Sequence, residues 1–127
     1  MLEVGLVIGF WTEDVSNPGA DGGSYKYHLC VDSHAGLHLF VCSEGFPFDF
    51  ELPRQRCPGL TEEMSYISLS RVIERRTIPK KHRVACRVSD EFLRELLDHI
   101  PRAKTLSENE KLAVTVGIAG HLNSKAG

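Results

Sequence analysis

Lys26, His28 and Ser43 are three residues with complementary chemistry in the first half of the chain. Residues 25–32 alternate in strand fashion. Tyr25, Tyr27, Leu29 and Val31 share one face, and Lys26, His28, Cys30 and Asp32 share the other. Residues 37–43 alternate in the same way, with Leu37, Leu39 and Val41 on one face. Between them Ser33, His34, Ala35 and Gly36 make a turn in which Gly36 is available for a positive φ. An antiparallel hairpin of these two strands brings the amine of Lys26 towards the hydroxyl of Ser43. A cation, a hydroxyl and an imidazole with an ordinary pKa of about 6.5 form a Lys–His–Ser cluster, with His28 as acid or base. The competing reading is a solvated sheet face, since antiparallel sheets commonly leave one side wet.

Arg71, Arg75, Arg76, Lys80, Lys81 and Arg83 make the one concentrated basic stretch. It suits contact with RNA phosphates, a salt-dependent interaction, or it is simply a solvated loop. The net charge is −2, so there is no global pull towards nucleic acid and any such binding must be local. Trp11, Tyr25 and Tyr27 offer faces for base stacking, or serve as core and rim aromatics. His34 and His38 flank the hairpin turn, and a site with Cys30 or Cys42 is conceivable in principle. Exposed turn histidines and buried strand thiols account for the same residues, so no metal or other cofactor is expected. No two of the four cysteines are closer than 12 residues, which excludes a C-x-x-C knuckle or redox motif.

These residues need a scaffold, and 127 residues with 42% hydrophobic and 25% charged content supply one ordinary globular domain. Residues 4–10 form an alternating strand that Trp11 extends, and residues 12–24 form a long Gly-rich loop. Residues 46–52 alternate Phe46, Phe48 and Phe50 with polar neighbours, which predicts a short strand with a core stripe. A second loop covers 53–63. Residues 65–74 predict a strand covered in part on both faces, and 84–88 a last short one. Ser89 is an N-cap with Asp90 and Glu91 behind it, and Phe92, Leu93, Leu96, Leu97 and Ile100 follow at helical spacing up to Pro101. That stripe is core or a dimer surface. Ser107 and Glu110 read as a capping box opening a second helix, with Gly120 as its C-cap and a frayed tail after His121. The expected architecture is α+β, mainly β. Residues 1–88 form a small antiparallel barrel, 89–120 the C-terminal helices and 121–127 a tail. No run suits a membrane helix and no secretory signal is visible, so the cysteines are expected reduced and the protein cytoplasmic.

The order of these segments resembles the MazF/PemK/Kid family of growth-inhibiting toxins over roughly residues 4–100. Residues 4–10 resemble its opening strand, and 12–24 sit in the slot of its long first loop. KYHLCVD resembles its second strand, HLFVCSEG the next, and PFDFELP, PGL and SYISLSRVI its Phe-rich strand, Gly-containing loop and long strand. RVSDEFLRELLDHI is similar to its closing strand and helix. The resemblance implies an SH3-like barrel, metal-independent endoribonuclease activity on single-stranded RNA, a homodimer and a neutralising antitoxin protein. The family's active arginine falls on Lys26, which keeps the charge but loses the planar fork. Its strand-end hydroxyl falls on Ser43. Its acidic residue falls near Ser70, and its usual proline is Tyr27. The catalytic set this implies is Lys26 and Ser43, with His28 or Arg71 in support, and Arg75, Arg76, Lys80 and Lys81 on the RNA. The same barrel without catalysis, binding RNA or a protein partner, is the alternative.

Overall fold

The computed structural model describes residues 2–12 and 24–126. In chain order the described strands are β1 (Leu6–Thr12), β2 (Ser24–Asp32), β3 (Leu37–Cys42), β4 (Phe50–Pro53), β5 (Met64–Ile67), β6 (Ile73–Glu74) and β7 (Arg83–Arg87). Helices α1 (Asp90–His99) and α2 (Glu108–Ala126) follow. All strands belong to one antiparallel sheet of order β4-β5-β3-β2-β1-β7, with β6 also on β3. The molecule is α+β and mainly β, a curled half-barrel with two C-terminal helices, as the sequence led us to expect. Most of the expected loop 12–24 lies outside the described residues.

The hairpin of β2 and β3 forms as its alternation requires, and Gly36 takes φ +68° in the turn. Val7, Leu29, Val31, Leu39, Val41 and Ile67 face the main core. There they meet Phe92, Leu93, Leu96 and Ile100 from α1 and its end, and Val114, Ile118 and Leu122 from α2. The stripe of the first helix is therefore core. Ser89 caps that helix, its Oγ accepting from the Phe92 amide at 3.1 Å. Ser107 and Glu110 form the reciprocal box at 3.0 and 3.1 Å. Each such cap stabilises a helix by about 1 kcal/mol.

Three expected elements change, each for a local reason. The Phe46/Phe48/Phe50 stripe is not a core strand, because Asp49 folds residues 46–49 into a turn. Its Oδ2 accepts from the Phe46 amide at 2.9 Å and its Oδ1 from Leu69 at 3.0 Å. Phe46 is left 76% exposed and Phe48 40%, and only Phe50 packs on Phe92. The single strand expected over 65–74 is split into β5 and β6, both on the same edge of β3. Between them the Val72 amide donates to Glu110 Oε2 at 2.8 Å, and the Leu69 carbonyl accepts from Thr105 at 2.7 Å. Side chains replace the ladder there. Helix α2 also runs past Gly120 to Ala126, because Leu122 is buried and His121 lies 3.5 Å from Asp90. The expected stop and frayed tail are corrected accordingly.

The largest correction concerns the thiols. Cys57 and Cys86 are joined in a disulfide, and Cys30 and Cys42 are free. Cys57 lies in the β4–β5 connection, while Cys86 lies on β7, the strand at the other end of the sheet order. The bond therefore ties the two ends of the curled sheet together. Gly59 lies against β7 so closely that a Cβ there would sit 2.1 Å from the Ala85 carbonyl oxygen. Closing a loop of 29 residues stabilises the fold by about 3.6 kcal/mol on chain-entropy grounds. Among the described residues, no helix is long and apolar enough to cross a membrane.

Two glycines of α2 separate packing from helix propensity. A Cβ on Gly117 would lie 2.2 Å from the Val31 carbonyl oxygen, whereas one on Gly120 meets nothing within 4 Å. Gly120→Ala should stabilise the protein by about 0.5–1 kcal/mol in urea melts. Gly117→Ala should destabilise it by about 2 kcal/mol as α2 is pushed off β2. Equal responses would show that α2 does not sit on β2 through Gly117.

Candidate functional site

At one end of β2 and β3 the sheet opens into a cleft of about 310 Å³. Strand pairing builds an aromatic row whose inner members, Tyr25 and Tyr27, line it. Trp11 stands opposite Tyr25 and Gly9 opposite Tyr27, which puts the three aromatic side chains on one face. Their rings meet edge to face, Trp11 to Tyr25 at 5.7 Å and Tyr25 to Tyr27 at 5.5 Å. Gly9 makes room for this row, because a Cβ there would fall 2.6 Å from the Tyr27 ring and 2.8 Å from the Tyr25 ring. Exposure grows outwards along it, with Tyr27 half-buried, Tyr25 at 39% and Trp11 at 62%. Arg83 donates to the Tyr27 hydroxyl at 2.8 Å and sets a guanidinium beside the row. Burial, then the neighbouring Tyr27, raises the pKa of Tyr25, which stays a neutral phenol. Leu60, Thr61, Glu62 and Ser65 form the other wall.

The opposite face of the same strands carries a second, smaller buried layer. His28 stacks on Phe10 at 4.4 Å with an interplanar angle of 5°, and its ring lies 5.2 Å from Phe40 and 6.1 Å from His38. Three cations cover this layer. Lys26 Nζ sits 5.2 Å and the Arg71 guanidinium 5.4 Å from the centre of the Phe40 ring, and the Arg75 guanidinium lies 5.5 Å from that of Phe10. None of the three forms an ion pair among the described residues. His28 is fully buried, and among the described residues neither ring nitrogen has a hydrogen-bond partner, nor does Arg75 Nε. Burial, then His38 and Arg75, lowers the His28 pKa to about 4. The imidazole is neutral at physiological pH.

The structure treats the sequence candidates unequally. Lys26 and Ser43 both line the cleft. Tyr27 pairs with Val41, so Lys26 stands level with Cys42, and Ser43 lies in the bend just past β3. No hydrogen bond joins Lys26 to Ser43 or His28. His28 is sealed in the Phe10 layer instead of standing open beside Lys26. Arg71 meets Lys26 only through Phe40. The basic stretch does not gather. Arg75 folds onto Phe10, exposed Arg76 pairs with Glu74 at 2.7 Å, and Lys80 and Lys81 are exposed beyond β6. His34 is exposed in the turn, but His38, expected there too, is buried with Nδ1 donating to the Gly36 carbonyl at 3.1 Å. Among the described residues no group of three His, Cys, Asp or Glu side chains is placed to hold a metal. Sequence reasoning missed Gly9, the Arg83–Tyr27 bond and the 60–62 wall. Gly9 carried a readable signal, since an isolated glycine inside an alternating strand marks close approach.

Protonating His28 means adding a charge to a buried layer beside Arg75, so folding and protonation oppose each other. Its folded pKa is below the unfolded value of about 6.5, so the unfolded chain binds the extra proton first. Stability should be full above about pH 6.5 and fall as the pH drops towards 4, by up to about 3 kcal/mol from this residue. His28→Phe should flatten that fall in urea melts taken across the range. An unchanged slope would show that another group carries the acid sensitivity.

No family model, no curated protein and no solved structure matches this chain.

Proposed function

We propose that this chain binds single-stranded RNA along the row Tyr27, Tyr25 and Trp11, with Lys26 and Arg83 beside the phosphates. One observation carries the reading. Tyr27 and Tyr25 line the cleft together with Lys26, Trp11 continues their row beyond it with rising exposure, and the Arg83 guanidinium bonds the Tyr27 hydroxyl. Bases have π-faces whatever their sequence, so such a row holds unpaired bases, and each stacked base contributes about 1–3 kcal/mol. Cations near the row add a salt-dependent attraction that needs no net positive charge on the whole protein. The width of a double helix is ill suited to it, since paired bases hide their faces.

Cleavage is the second reading, and the shared cleft of Lys26 and Ser43 favours it. In that reading the protein is a divergent toxin-like endoribonuclease, homodimeric and held in check by an antitoxin protein. Lys26 stabilises charge on the scissile phosphate and Ser43 positions the ribose. A group that moves the proton must come within hydrogen-bond reach of the cleft, and His28 does not. Glu62 in the opposite wall is a carboxylate of the cleft, but among the described residues no hydrogen bond or ion pair orients it, so binding without cutting fits the geometry better.

Trp11 is the single tryptophan, so it reports on its own site. Titrating a fluorescein-labelled oligouridine at low salt should quench Trp11 emission and raise the label's anisotropy together. Trp11→Phe should keep most of the affinity, while Tyr25→Ala should weaken it about 5- to 100-fold. Lys26→Ala should lower the slope of log affinity against log salt by about 0.7. The RNA should be recovered intact on a denaturing gel. Cutting that disappears in Lys26→Ala establishes the second reading, and neither quenching nor anisotropy change removes both.

A further inference from the structure

We propose that the Cys57–Cys86 disulfide is a redox clasp that sets the outer wall of the cleft. Residues 54–63 connect β4 to β5, and their last part, Leu60 to Glu62, is that wall. The hydrogen bonds of this connection are internal. Arg54 donates its amide to the Glu63 carbonyl, Cys57 to Arg54 and Leu60 to Cys57, and the Arg54 side chain reaches the Thr61 carbonyl. Among the described residues no hydrogen bond joins 54–63 to β7. The disulfide and the contact of Gly59 with Ala85 hold it there. Arg56 reaches α1 through Glu95 and the Phe92 ring, and Leu60 is buried in the core. Losing the bond therefore frees the stretch from β7 without taking it off the molecule.

The other thiols do not compete for this role. Cys30 is fully buried and its pKa is pushed up to about 11 by that burial, and burial raises Cys42 as well, so neither forms a ready thiolate. In the clasp, Cys57 is fully buried and Cys86 only partly, so exchange starts at Cys86. A small thiolate of the glutathione class attacks Cys86 Sγ, the S–S bond breaks, and Cys57 leaves with the electron pair and takes a proton. A second thiolate attacks the mixed disulfide, releasing Cys86 as a thiol and the reductant as its own disulfide. Two electrons pass to the protein. With the bond closed the wall is preorganised, and with it open Thr61 and Glu62 move at the mouth of the cleft.

The effect on RNA rests on the proposed function, but the effect on the wall does not. Hydrogen exchange by mass spectrometry should be compared for the intact chain before and after dithiothreitol, with the thiols titrated in denaturant rising from two to four. Exchange across 57–63 should rise on reduction at least tenfold more than exchange across β2, β3 and α1, which share only the general loss of stability. Affinity for oligouridine should fall at least fivefold. Cys57→Ala/Cys86→Ala should match the reduced protein and ignore dithiothreitol. Unchanged exchange across 57–63 at four thiols overturns the clasp. So does uniform loss of protection, which makes the bond a plain staple of the whole fold. A loop that responds in a protein indifferent to RNA leaves the clasp standing and removes the proposed function.

Discussion

Strand β2 sends Leu29 and Val31 into the main core and His28 and Cys30 into a second buried layer, all four at 2% exposure or less. A strand buried on both faces has no solvated side for its polar residues. It opens at its N-terminal end, where Tyr25, Lys26 and Tyr27 emerge. That end is where β3 gives way to a bend and where the β4–β5 connection crosses to β7. The location of the cleft thus follows from how β2 is covered. Helices α1 and α2 cover one face, while Arg71 and Arg75 fold across the other from the chain that flanks β6.

The second layer explains why the Lys–His–Ser cluster does not assemble. A neutral imidazole stacked on Phe10 behaves as an aromatic ring, and the three cations are held over rings in the same layer. Cation–π contacts of this kind contribute about 0.5–1 kcal/mol at partly exposed sites. That is modest against the several kcal/mol of repulsion and desolvation that a protonated His28 would add among them. Folding therefore selects the neutral ring and removes it from acid–base work in the cleft.

What the sequence disclosed was local. The Ser89 cap, the Ser107–Glu110 box, the hairpin over Gly36 and the stripe of α1 each rest on residues a few positions apart. What it hid depends on partners far along the chain. Asp49 reaches Leu69 and so bends the Phe-rich segment, and Glu110 reaches Val72 and so splits the strand expected over 65–74. Neither carboxylate advertises a distant amide. Cys57 and Cys86 are 29 residues apart in no recognisable motif, and only the curl of the sheet brings them together. The alternation of β2 is legible, but the cover on its polar face is not, because the layer of Phe10, Phe40 and Arg75 comes from three other segments. Lys26 and Tyr25 were legible because strand ends stay open whatever covers the middle.

The same geometry bears on binding against cutting. Catalysis rewards interactions that strengthen in the transition state, and those need donors fixed where charge develops. Lys26 rests against Phe40, and Ser43 sits in an exposed bend where no partner among the described residues holds its hydroxyl. Stacking on Tyr25 and Trp11 asks for none of that precision, because a ring accepts a base in many positions. A cleft that carries a row of rings made possible by Gly9 is organised for holding a flexible strand. An amine already engaged with a ring can still turn towards a phosphate at little cost, since the contact it gives up is worth about as much as a surface ion pair. Lys26 thus suits a loose electrostatic partner better than a fixed catalytic one, and the aromatic row carries the greater part of the affinity.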